Sequence, residues 1–438
     1  MLIDLLLVRP LVSQTCPLRQ LRLSEFVRLC FPPRERLNML ISVSWKCLNI
    51  GILATLVIFL SSVSAENRNV SKSRLDSNRL AQISVQMKSL VSQGTIAGAV
   101  TFVAWRDEIV SFEAVGYQDL ETRKPMRIDT IFDTRSITKP ITATGILILM
   151  EEGKLALDDP VGKYLPEFKT ATQKPQKTNA PITILHLLTH TSGLPVNRPP
   201  EIEDITIKRD RALSDVVAIL SKQEAEFEPG TQHRYCSGGF AILGRVIEVV
   251  SGQPYDQFIK QHIFDPLGMK DSFFFIPDDK ESRVASVYKI QDGKLRKWQE
   301  IEEYRKNAKY PGPEFGMYST ASDLASLCQM ILDGGTFRGK RILAKTFVET
   351  MIKNQTNGLN SATTMRAAYQ GLGWGLSGDP MSDLPLISAG SFGHDGAFGT
   401  LLWVDPNERL IRIFLEQLYG FGDENRIFMT LAGSALTD

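Results

Sequence analysis

Asp133-Thr134-Arg135-Ser136-Ile137-Thr138-Lys139-Pro140 runs straight into an apolar stretch, Ile141 to Met150, in which only Thr142 and Thr144 carry polar side chains. A polar turn feeding a helix that is apolar on nearly every side describes a buried helix with a polar mouth. Pro140 has no N–H and is tolerated only in a helix's first turn, so the helix is predicted to begin near Ser136 or Ile137. Ser136 and Lys139, three residues apart, then project from one face. The unpaired N–H groups and positive dipole of the same helix start could hold an oxyanion. A serine beside a lysine in an enclosed site can pass its proton to that amine when the amine is neutral, which makes the pair a candidate nucleophile and base. The spacing recurs at Ser286-Val287-Tyr288-Lys289, but in a highly charged stretch with no apolar helix behind it. That second match is read as solvated surface.

The 438 residues are 23% charged and 43% hydrophobic, an ordinary globular composition with room for a large core. Formal net charge is +1, and removing residues 1–65 leaves 43 basic and 46 acidic residues, a balance of −3. Neither value points to nucleic acid or to an anionic membrane as a partner. The five cysteines include only Cys236 and Cys328 beyond the N-terminal region, and these are expected as buried free thiols. No Cys/His cluster has zinc spacing. His186 and His190 are four apart without a neighbouring glutamate motif, so they are read as packing or capping residues.

Outward from the central stretch, the N-terminal part reads as a leader. Residues 1–38 have no periodicity, and Met39 is taken as the start. Lys46, an apolar run from Leu48 to Leu60, and Ser61-Ser62-Val63-Ser64-Ala65 have the form of a signal peptide, with cleavage expected after Ala65. The protein is therefore expected to be exported, periplasmic or secreted, and membrane-anchored only if the leader stays uncleaved. Residues 66–79 read as a polar linker. A helix is predicted over Leu80–Val91, and a hairpin from the runs Ala97–Trp105 and Ile109–Gly116. Beyond the helix at 136–152, further helices are predicted at Ile182–Thr189, Phe240–Val250 and after the Ser319-Thr320 cap. Residues 278–310 read as an exposed excursion, a possible flap. Strand patterns return at 371–375, 391–404 and 410–415, followed by an amphipathic helix to Leu436. Strands at both chain ends around a helical middle predict an α+β fold: one antiparallel sheet closed by the two termini and flanked by helices, with a mostly helical lobe, roughly 136–310, inserted within a domain spanning 80–438.

Five segments occur in one order: Ser136-Ile137-Thr138-Lys139, Leu188-Thr189-His190-Thr191-Ser192-Gly193-Leu194, Pro229-Gly230 leading to Tyr235-Cys236-Ser237, Gly316-Met317-Tyr318-Ser319-Thr320, and Gly393-His394-Asp395-Gly396. In this order they resemble the beta-lactamase-related serine hydrolases: class C beta-lactamases, D-alanyl-D-alanine carboxypeptidases, D-amino-acid amidases and beta-lactamase-like esterases. The resemblance extends over roughly residues 80–435 and implies a beta-lactamase/transpeptidase-like fold. It implies that Ser136 is the acylated nucleophile, that Lys139 helps deprotonate it, and that Tyr235 shuttles protons. It implies that the Ser136 and Ala397 amides form the oxyanion hole. His394, Gly396 and Ser237 would line the substrate site. Trp374 is read as pocket wall or core and is counted with the substrate-site residues.

Two departures bear on substrate. Ser237 stands where the family's Tyr-x-Asn element has asparagine, and a hydroxyl makes fewer bonds than an amide. His394 stands where lysine is usual, and histidine is mostly neutral near pH 7. Both weaken recognition of the carboxylate on beta-lactams and D-Ala-D-Ala ends more than they weaken ester hydrolysis. The resemblance thus implies a carboxylesterase acting on small acyl esters through an acyl-enzyme. Alternatives are a D,D-peptidase or beta-lactamase on amides, or a non-catalytic penicillin-binding-like protein. The expected partner is a small-molecule ester or amide, with no metal or cofactor implied. The oligomeric state stays open.

Overall fold

In a computed structural model of the chain, the described residues are 74–168, 180–196, 207–356, 358–361, 367–378, 387–420 and 422–437. The predicted leader and its cleavage site lie outside them. The side chain of Asp76 accepts from the Asn78 and Arg79 amides and caps α1 (Ser77–Ser92), which buries Leu80, Ile83 and Met87 at helical spacing. The last three residues of the expected linker, 77–79, are therefore helical.

The hairpin follows as β1 (Gly98–Trp105) and β2 (Glu108–Asp119), turning at Arg106 and Asp107 with φ of 50° and 68°. Positive φ at both turn positions suits the right-handed twist of paired strands. Then come β3 (Lys124–Pro125) and β4 (Phe132–Asp133), followed by a 3-10 turn at Arg135–Ile137 and α2 (Thr138–Glu151). The helical lobe contributes α3 (Ile184–Leu188), α4 (Leu213–Leu220) and α5 (Gly238–Ser251). The excursion holds β5 (Tyr288–Gln291) and β6 (Lys294–Lys297), and β7 (Tyr318–Ser319) leads into α6 (Ala321–Leu332). After a small ribbon of β8 (Thr336–Phe337) and β9 (Lys340–Arg341) come β10 (Gly375–Leu376), β11 (Phe392–Gly396), β12 (Thr400–Asp405), β13 (Leu410–Leu415) and α7 (Glu424–Ser434).

Seven strands form one antiparallel sheet in the order β10-β11-β12-β13-β1-β2-β3. The two chain ends meet at its centre, where β1 pairs β13 from Val100↔Leu415 to Trp105↔Leu410. Both of these strands are buried along their whole length, because both sheet faces are covered. On β13, Ile411, Ile413 and Leu415 face the main core with Leu324, Leu327 and Ile331 of α6, while Phe414 on the other face packs on Phe428 of α7.

All of α2 from Thr138 to Leu149 is buried. Each fully covered Ile or Leu there contributes about 1.5–3 kcal/mol of burial. Gly145 permits the close approach of its neighbours, since a Cβ there would lie 2.9 Å from Ile259 and 3.1 Å from Ile247 of α5. The excursion is pinned, not free. Tyr288 donates its amide to Gln417 and accepts the Tyr419 amide, each at 2.8 Å, so β5 is tied to the segment following β13. Cys236 and Cys328 are both buried thiols outside any disulfide, as expected. Among the described residues no helix is long and apolar enough to cross a membrane.

Candidate active site

The turn carrying Ser136 is held by side chains that replace missing strand partners. Gln417 clamps Asp133 from both sides, accepting its amide at 3.0 Å and donating to its carbonyl at 3.1 Å. Thr134 donates both its amide (3.0 Å) and its hydroxyl (2.8 Å) to the Met317 carbonyl. Thr138 accepts the Met317 amide at 3.1 Å and donates to the Arg135 carbonyl at 2.6 Å. Arg135 takes φ of 49°, a sparsely populated conformation for a residue with a side chain, and its guanidinium lies 3.7 Å over the Phe398 ring. The chain thereby turns sharply, so that Ser136 falls in the 3-10 turn and Pro140 in the first turn of α2. Ser136 is half-buried.

Lys139 is fully buried, and its Nζ lies 3.0 Å from Ser136 Oγ and donates to the Glu314 carbonyl at 2.8 Å. It also stands 4.9 Å from the centre of the Tyr235 ring and 5.8 Å from that of Phe240. Tyr235, 39% exposed, forms the open side of the site. Ser237 is the N-cap residue of α5 and makes no side-chain cap bond.

On the opposite wall β11 brings in His394 and Gly396. Gly396 sits so close to the Ser136 loop that a Cβ would collide with the Thr134 carbonyl and the Thr400 hydroxyl. Thr400 donates to that same carbonyl at 2.9 Å, locking strand and loop together. Ala397 is next along the chain, so its amide and that of Ser136 belong to the two backbones that this contact joins. His394 Nδ1 lies 2.7 Å from the Asp395 carbonyl. Burial first, and Lys139 second, push the His394 pKa down to about 4, so the imidazole is neutral near pH 7.

Trp374 does not sit where a substrate could reach it. It is fully buried and packs edge-on against Phe392 at 5.1 Å, which corrects its place from the substrate-site residues to the core. A second serine–lysine match, Ser286 to Lys289, is also disposed of: Ser286 donates to Asp119 at 2.8 Å, and the Lys289 amine lies 5.1 Å from the centre of the Trp298 ring. His186 caps α3 reciprocally with Thr183. His190 is packed, as expected. It is buried against Tyr235, with ring centres 4.4 Å apart. Gln417 and Glu314 escaped sequence reasoning, because their contacts to the Ser136 turn and to Lys139 span well over 100 residues of chain, as does the bond from the Met317 amide to Thr138. Among the described residues no group of three or more His, Cys, Asp or Glu could hold a metal ion.

The arrangement can carry out acyl transfer. It offers a hydroxyl in hydrogen-bond contact with an amine, a phenol beside that amine, and two backbone strands whose amides can face a developing oxyanion. Fold and site together define a serine hydrolase of the beta-lactamase/transpeptidase-like fold. Residues 83–431 match the Beta-lactamase family, and the chain belongs to it. Esterase EstB of Burkholderia gladioli is 30% identical over 356 residues, which make up 74% of this chain and 87% of EstB. Among solved structures, EstCE1, a hydrolase with promiscuous acyltransferase activity, has a TM-score of 0.72 at 23% identity, over 82% of this chain and 99% of its own. A class C beta lactamase from Rhodobacter sphaeroides has a TM-score of 0.62 at 21% identity, over 80% and 98%. Both share this fold.

Proposed function

We propose that this protein is a carboxylesterase acting on small acyl esters through an acyl-enzyme on Ser136. Lys139 and Tyr235 take the Ser136 proton as Oγ attacks the ester carbonyl. The Ser136 and Ala397 amides stabilise the negative charge that forms on the carbonyl oxygen. The alcohol leaves with a proton returned through Tyr235, and Tyr235 then helps activate the water that releases the acid.

The observation that carries the ester reading is His394. A lysine in its place would offer a permanent cation to a substrate carboxylate. The buried, neutral imidazole offers none. Ser237 acts in the same direction, since its short hydroxyl replaces an amide that could hold a substrate amide. The names of EstB and EstCE1 as an esterase and a hydrolase agree with this reading.

The test is a parallel assay of the purified protein and Ser136→Ala on a short-chain p-nitrophenyl ester and a chromogenic cephalosporin. Ester turnover that the variant abolishes, with little cephalosporin cleavage, is expected. Dominant cephalosporin cleavage would overturn the ester reading, and activity surviving in Ser136→Ala would overturn the mechanism.

A further inference from the structure

We propose that His190 is the positioning residue that fixes Tyr235 in register with Ser136 and Lys139; this rests on Tyr235 acting as the proton shuttle. His190 grips the chain on both sides of that tyrosine. Its carbonyl accepts the Arg234 amide at 2.9 Å, and its Nδ1 accepts the Cys236 amide at 3.1 Å. The Cys236 carbonyl also lies 3.2 Å from Nδ1, but a backbone amide always carries its hydrogen, so the closer amide contact assigns the lone pair to Nδ1 and the ring hydrogen to Nε2. Between these two bonds stands Tyr235, its ring 4.4 Å from the imidazole and tilted by 35°. The other rings packed on the imidazole include Phe240 at 5.3 Å and His233, edge-on at 6.1 Å. The residue thus sets both the main chain and the ring plane of Tyr235.

Two costs argue that this imidazole is not there for stability. His190 takes φ of 57°, which strains a residue with a side chain. Its Nε2 is buried without a hydrogen-bond partner, and an unmet buried donor destabilises a fold. Nor is it a spare base or cation. Burial, reinforced by Lys139, holds it neutral far below the usual histidine range. What is left is an acceptor and a flat surface, both applied to Tyr235. A phenol must come within hydrogen-bond reach of the serine to move its proton, and a displacement of roughly 1 Å in such a site costs on the order of a hundredfold in rate.

The test is a cycle on the full chain: wild type, His190→Phe, Tyr235→Phe and the double variant, with His190→Asn beside them. The phenylalanine keeps a ring and loses the acceptor. The asparagine puts an acceptor where Nδ1 stood and tolerates positive φ. Readouts are kcat and KM on p-nitrophenyl acetate, the rate of fluorophosphonate labelling of Ser136, and the melting temperature. We expect His190→Phe to lower kcat and labelling on the order of a hundredfold with KM little changed, and His190→Asn to recover most of the loss. In the Tyr235→Phe background, His190→Phe should cost less than about threefold, because the group it positions has lost its hydroxyl. An equal loss in both backgrounds, or no recovery in His190→Asn, overturns the proposal while leaving Tyr235 in its role. If Tyr235→Phe alone is as fast as wild type, the shuttle assignment fails and this proposal falls with it. Should His190→Phe not fold, His190→Ala takes its place in the same cycle.

Discussion

Replacing Gly396 with alanine is expected to part the two halves of the site. Gly396 ends β11 where that strand presses on the turn carrying Ser136. A Cβ there would fall well inside 3.0 Å of both the Thr134 carbonyl oxygen and the Thr400 hydroxyl, and 3.1 Å from the Arg135 Cβ. The main obstacle cannot swing aside, because the Thr134 oxygen is main chain and already accepts from Thr400 at 2.9 Å. Relief requires β11 to withdraw from the turn by roughly 1 Å, taking the Ala397 amide with it. An error of about 1 Å in a preorganised site costs about a hundredfold, and losing one oxyanion donor costs about 10²–10³ in kcat, or about 2.7–4 kcal/mol. The fold itself should lose about 1–3 kcal/mol from the overpacking. Gly375→Ala is the control. It lies in β10 of the same sheet, where the nearest obstacle, the Gly393 carbonyl oxygen, is 3.4 Å from a Cβ, an ordinary contact. The assay is kcat on p-nitrophenyl acetate, with melting temperature and circular dichroism to confirm folding. A folded Gly396→Ala with kcat within about threefold of wild type would refute the placement of the second donor on this strand.

Three other outcomes are expected. Lys139→Met should remove about 10²–10⁴ from kcat with little loss of melting temperature, since it replaces a buried amine with an unbranched apolar chain; activity near wild type would take Lys139 out of the proton path. The folded His394 pKa lies at about 4 against an ordinary 6.5, so the unfolded chain takes up this proton first as pH falls. Its contribution to stability is full above about pH 6.5 and declines, by something on the order of 3 kcal/mol, until pH passes about 4. His394→Gln should flatten that part of the pH–stability curve measured by urea unfolding, and an unchanged curve would count against a neutral buried imidazole. Export predicts that the mature protein begins at Glu66, which N-terminal sequencing checks; a start at Met39 in a membrane fraction would mean an uncleaved anchor.

Much of the architecture was legible because it rests on local pattern. Pro140 ahead of an apolar run placed α2, and short, largely apolar runs at both ends of the domain placed β1 and β13. The Ser136–Lys139 spacing translated directly into an Nζ–Oγ distance of 3.0 Å. What could not be read depends on partners far away in the chain. The excursion at 278–310 read from its charge as exposed and as a candidate flap, yet Tyr288 is bonded to Gln417 and Tyr419. Trp374, among glycines, read as pocket wall or core, and only the packing of Phe392 shows it to be core. The linker boundary was missed by three residues because Asp76 was not taken as a cap. His190 was read as packing or capping, since nothing in Leu188–Leu194 announces that its ring will meet the Cys236 amide.

The same long-range contacts hold the Ser136 turn in place. Four polar side chains, from Gln417, Thr134, Thr138 and Thr400, bond main-chain groups around the Ser136 turn, and each bond links segments separated by more than 100 residues or braces such a link. A strained residue such as Arg135, with its positive φ, persists only where its surroundings over-determine it. Here they do: its neighbours Asp133, Thr134 and Thr138 are all held by their own hydrogen bonds. Fixed donors stabilise an oxyanion because they are not reorganised when charge develops. In the proposed mechanism, the rigidity that makes the turn costly to fold would also hold the Ser136 and Ala397 amides fixed toward a substrate carbonyl. It follows that changes to Gln417 should slow the reaction more than they shift KM: Gln417→Leu leaves the Asp133 amide and carbonyl unpaired, loosening the turn without touching any group that would contact the substrate.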